Sequence, residues 1–103
     1  MIKVKNAIEI ERMRSAGKIL ATILKELSSA VKPGVTTYEL DALATDLCKK
    51  HRVKPAFLGF NGYPATLCAS TNEVVVHGIP NKKKLIQGDI VGLDMGVKHN
   101  GYY

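Results

Sequence analysis

Two side chains in the second half of this chain are of the right type and setting to do chemistry. His77 ends the apolar run Val74-Val75-Val76 and is followed by Gly78-Ile79-Pro80. An imidazole changes charge near neutral pH and can serve as acid, base or hydrogen-bond donor to a substrate. Taken alone, a histidine ending an apolar strand is more often a turn or core residue satisfied by backbone groups than a catalytic one. Asp94 lies inside the stretch Gly88-Asp89-Ile90-Val91-Gly92-Leu93-Asp94-Met95-Gly96. Flanked by Leu93 and Met95, it reads as a buried carboxylate, which needs a cation, a metal ion or several N–H donors to offset desolvation. Asp89, just after a glycine at a strand entrance, reads as a turn residue. Phe57, Phe60 and Tyr63, with Gly59 and Gly62 between them, form either ordinary core or a loop lining an apolar pocket.

These groups need elements to position them. Asn6 with Glu9 has the spacing of a helix capping box, so a helix is expected from about Ala7. Its apolar stripe is Met13, Ala16, Gly17, Leu20, Ile23, Leu24 and Leu27, fading around Ser28 to Val31. Pro33-Gly34 breaks the chain, and Thr36 with Glu39 opens a second amphipathic helix carrying Leu40, Leu43, Ala44, Leu47 and Cys48 to about His51. Beyond Pro55 the helical period disappears. Thr66 to Ser70 and Val74 to His77 are expected to pair as a hairpin. Residues 89–97 form the longest strand candidate, entered through the Gln87-Gly88 turn and left through the Asn100-Gly101 turn.

The chain has 103 residues, 46% hydrophobic and 23% charged, which suits one globular unit and excludes a disordered tail or a multi-domain assembly. No apolar stretch approaches the ~20 residues of a bilayer span, and no signal peptide opens the chain, so a soluble cytoplasmic protein is expected. Cys48 and Cys68 have no metal-finger spacing and read as reduced, buried thiols. Fifteen Lys plus Arg against nine Asp plus Glu give a net charge of +6, which favours acidic partners. The basic residues are scattered, however. The single run, Lys82-Lys83-Lys84, follows Pro80-Asn81 as a solvated turn without any RNA-binding signature.

Taken together, five stretches resemble the type I methionine aminopeptidases in order and spacing: residues 10–17 of the first helix, residues 31–37, Gly62-Tyr63-Pro64 with Cys68, residues 72–80, and residues 88–96. The resemblance implies an α+β architecture, the first half of a pita-bread fold, with two amphipathic helices against a curved, mostly antiparallel sheet. It implies removal of the initiator methionine from new polypeptides by two divalent metal ions, of Co, Mn, Fe or Zn, held by two Asp, one His and two Glu. Asp94 matches the first Asp of that set. His77 matches the histidine that contacts the scissile amide and assists the reaction. Phe57, Phe60, Tyr63 and Cys68 fall where the family lines its methionine pocket; Phe at 57 and 60, where some members carry Cys and Tyr, is a departure bearing on pocket shape. The backbone of Asn72 and Val74 matches a monovalent-cation site. The implied partners are peptide or nascent-protein N-termini, the ribosome surface among them and no membrane, for an enzyme that is a monomer when complete.

One carboxylate cannot hold a defined divalent pair, so the chain alone is expected to hydrolyse nothing at a useful rate. After Asn100-Gly101 only Tyr102 and Tyr103 remain to form the return arm, too little to stabilise a hairpin. Residues 1–103 are therefore expected to be a single incomplete domain, the N-terminal half of a catalytic domain. Two other functions compete: an inactive binding module of the same fold, and a basic nucleic-acid or ribosome-surface protein whose binding depends steeply on salt.

Overall fold

A computed structural model describes all 103 residues. Helix α1 spans Ala7–Ala30 and α2 spans Thr37–Lys50, each opened by the expected capping box. The Asn6 side chain accepts from the Glu9 N–H at 2.9 Å while Glu9 reaches back to the Asn6 N–H at 3.2 Å; Thr36 and Glu39 repeat the exchange at 3.0 and 2.8 Å. Four short strands follow, β1 (Lys54–Pro55), β2 (Cys68–Thr71), β3 (Val91–Asp94) and β4 (Val97–Lys98), with a 3-10 turn at Phe60–Gly62. The strands make two antiparallel pairs, β1 with β4 and β2 with β3.

The core lies where the helices meet these strands. Ile23 and Leu27 of α1 and Leu40, Ala44, Leu47 and Cys48 of α2 are buried together with Leu67, Met95 and Val97. Two members of the expected α1 stripe do not join them: Met13 is 40% exposed and Gly17 is open to solvent. No helix is long and apolar enough to cross a membrane. Cys48 and Cys68 are both buried free thiols.

Two strand expectations are corrected. Val74 to His77 forms no strand. Asn72 turns left-handed at φ +53°, its side chain binds both Asp89 and the Ile90 N–H, and β2 takes β3 as its ladder partner. Just after the segment, the Gly78 carbonyl accepts from the Ala69 N–H on the other edge of β2 at 2.9 Å. The long strand over 89–97 is also divided. At Met95-Gly96 the chain leaves β2 and crosses to β1, where Ala56 N–H donates to the Gly96 carbonyl at 2.9 Å. A side chain at 96 would stand 3.1 Å from both Ala56 and the Phe57 ring, so glycine lets this crossover close against the loop after β1. The Asn100-Gly101 turn forms as expected, with φ of +51° and +81° and His99 bridging to Tyr102.

Candidate active site

Because β3 pairs with β2 and then crosses to β1, three regions far apart in sequence converge on one cavity of about 540 Å³. Its lining includes Phe57, Phe60, Tyr63, Cys68, His77 and Asp94, the six side chains to which the resemblance gives a role; Asn72, Val74 and Asp89 are not among its lining residues. Ile79 and Pro64 add to its apolar wall; the sequence placed both within stretches that carry the family resemblance but gave neither a place in the pocket.

The wall is built from the inside outward. Asp41 of α2, to which the sequence assigned no role, accepts from the N–H groups of Thr66 and Leu67, each at 2.9 Å, and Thr45 pairs with Thr66 at 2.8 Å. Helix α2 thereby holds the chain as it enters β2 and sets Cys68, 3% exposed, in the cavity wall. The Tyr63 hydroxyl donates to the carbonyls of Leu67 at 2.9 Å and Gly78 at 3.2 Å. Burial first, and then the neighbouring Cys68, push this phenol well above its ordinary titration range, so it stays a donor. Phe57 meets the Tyr63 ring edge-on, with centroids 6.5 Å apart at 88°. Phe60 differs from its neighbours. At 68% exposure, it stands at the open rim.

His77 and Asp94 face this apolar wall. His77 is exposed and holds φ at +57°, a left-handed conformation rare for a side chain without glycine's freedom and often found at functional positions. Asp94 is opposite Cys68 in the β2–β3 register. It is exposed, not buried as its apolar neighbours suggested, because alternation along β3 sends Leu93 to one face and Asp94 to the other. The chain's ion pairs involve Arg14, Lys50 and His51, so no basic side chain neutralises Asp94.

Asp94 is thus a hard oxygen donor open to the cavity, which suits a divalent ion as one ligand. The chain does not complete such a site: no three His, Cys, Asp or Glu side chains are grouped so that they could hold a metal ion between them. Asp89 lies away from the cavity and serves its turn, accepting from Asn72 at 3.0 Å and from the Ile86 N–H at 2.9 Å; these two bonds hold its carboxyl below the usual range. Lys82, Lys83 and Lys84 are exposed, with Lys82 over the Tyr38 ring at 5.2 Å.

The sequence profile of metallopeptidase family M24 matches residues 11–103. A methionine aminopeptidase of Clostridium acetobutylicum is 52% identical over 103 residues, covering 99% of this chain and 41% of the relative. Among solved structures, a methionine aminopeptidase from Rickettsia prowazekii superposes with a TM-score of 0.95 at 42% identity, over 98% of this chain and 41% of that one. Another, from Thermotoga maritima, gives 0.92 at 45% identity with the same coverage. The chain therefore spans about two fifths of the length of the relatives it matches.

Proposed function

This chain belongs to metallopeptidase family M24, and from that premise we propose that it forms the substrate-side, N-terminal half of a methionine aminopeptidase that removes the initiator methionine from new polypeptides. The observation that supports this best is the convergence of Phe57, Tyr63, Cys68, His77 and Asp94 on one cavity, in a chain whose relatives carry that name. In this reading residues 1–103 are one incomplete domain.

Phe57, Tyr63, Cys68 and the rim residue Phe60 receive the methionine side chain. Thioether–aromatic contacts contribute roughly 0.3–1.5 kcal/mol each, which favours methionine over a hydrocarbon of equal size. His77, presented at the cavity without a neutralising partner, hydrogen-bonds the amide to be cleaved. Asp94 contributes one carboxylate to a site for two divalent ions of the Co, Mn, Fe or Zn kind, the other ligands coming from outside these residues. Such a pair, when bound, supplies an acidified water and polarises the peptide carbonyl. The carbonyls of Asn72 and Val74, at the tight turn after β2, are offered to a monovalent cation.

The substrates are peptide and nascent-chain N-termini, met in the cytoplasm by a monomer. A net charge of +6 favours the RNA-rich ribosome surface where such chains emerge. The test is a chimera in which residues 1–103 replace the matching segment of the Clostridium acetobutylicum relative. It is expected to release methionine from Met-Ala-Ser, while the 103-residue chain alone does not. A folded, metal-loaded chimera that leaves the peptide intact would refute the assignment.

A further inference from the structure

The His77 ring makes no hydrogen bond within the chain, and the bonds that fix this position are made by the backbone beside it. Just beyond it, the Gly78 peptide is gripped from three sides. Its N–H donates to Ser70 Oγ at 3.0 Å, and its carbonyl accepts from the Ala69 N–H at 2.9 Å and from the Tyr63 hydroxyl at 3.2 Å. The approach is close enough that a Cβ at position 78 would fall 2.2 Å from the Ala69 carbonyl oxygen, so only glycine fits. His77 itself holds a left-handed φ of +57°, which a free chain would leave for the ordinary right-handed or extended regions.

We propose that Ser70 is a positioning residue for His77: with Tyr63 it clamps the Gly78 peptide to the edge of β2 and thereby holds the imidazole left-handed and facing the cavity. Ser70 does not line the cavity, and its hydroxyl oxygen takes the Gly78 N–H. Its influence on chemistry must therefore pass through Gly78 and His77. The clamp works from the sheet side, leaving both ring nitrogens free for a substrate. The catalytic consequence rests on the role assigned to His77 above, whereas the clamp itself does not.

Two measurements separate these. On the isotope-labelled 103-residue chain, amide exchange at Gly78 and the His77 ring resonances are followed by NMR in Ser70→Ala and Ser70→Thr. Ser70→Ala is expected to speed Gly78 exchange about tenfold or more and to shift or broaden the His77 ring signals. Ser70→Thr, which keeps the hydroxyl, is expected to restore both. Unchanged Gly78 exchange in Ser70→Ala, with the β2–β3 pairing intact, would overturn the clamp. In the chimera, Ser70→Ala is expected to lower kcat about tenfold for Met-Ala-Ser with metal content and KM retained, and to have no further effect when His77 is already Ala. A full Ser70→Ala loss in the His77→Ala background would overturn positioning through His77. If His77→Ala alone leaves the rate unchanged, the role of His77 fails while the exchange data still judge the clamp.

Discussion

Cys68 and Asp94 are directly opposed on β2 and β3, so one rung of the ladder runs from a thiol sealed in the cavity wall to a carboxylate open at its rim. Neither side chain is tied to a charged partner. The rung shows which parts of the site the fold itself depends on and which it merely carries.

Asp94 is exposed and unpaired, so its removal should cost the fold almost nothing. Asp94→Ala is expected to change the unfolding free energy of this chain by no more than about 0.5 kcal/mol in urea melts. In the chimera the same change is expected to lower bound metal and abolish turnover. Normal metal content with normal activity would remove Asp94 from the ligand set.

His77 holds a strained backbone that glycine adopts without penalty. His77→Gly is therefore expected to be more stable than His77→Ala by about 1 kcal/mol, since a left-handed L-residue costs on that order. Both variants should slow cleavage by the chimera while leaving its metals in place. Equal stability of the two would show that φ at 77 relaxes in solution, and loss of metal would move His77 into the ligand shell.

Asp41 binds two amides that have no other partner, at the buried residues Thr66 and Leu67. Asp41→Ala is expected to destabilise the chain by roughly 2–4 kcal/mol, the cost of leaving donors unsatisfied and losing charge-assisted bonds. Thermal melts measure this directly. A loss below about 0.5 kcal/mol, the range of an ordinary surface change, would mean that water replaces the carboxylate.

Tyr63 sets an alkaline limit. Its hydroxyl is held protonated above its ordinary range by burial first and by the neighbouring Cys68 next, whereas the unfolded phenol ionises near pH ~10. A raised folded pKa gives stability that is complete below about pH 10 and falls away as pH rises beyond it. Melts of the wild type and Tyr63→Phe at about pH 8 and about pH 11 are expected to show a larger alkaline loss in the wild type. Equal losses would show that the phenol ionises freely in the native state.

What the sequence made legible follows the range of the forces involved. Both helices and their caps were readable because Asn6 with Glu9, and Thr36 with Glu39, satisfy one another within a single turn. Strand pairing was not, since the run Val74 to Val76 has the composition of a strand, yet β2 makes its ladder with β3, far along the chain. The role of Asp41 was invisible for the same reason, its partners lying 25 and 26 residues away. Asp94 was found, but its surroundings were misread: apolar neighbours along a strand belong to the opposite face. The cavity residues were legible as a set because their order and spacing carry a family pattern, while the crossover at Gly96 that brings Phe57 beside β3 emerged only from the fold.

The most direct measurement is the rate at which the metal-loaded chimera releases the first residue from Met-Ala-Ser and from Leu-Ala-Ser. With Phe57, Tyr63 and Cys68 receiving the side chain, methionine should leave at least about tenfold faster, and His77→Ala should slow that release. A folded chimera that holds its metals yet leaves both peptides whole, or cleaves them at equal rates, would contradict the assignment of this cavity to the methionine side chain.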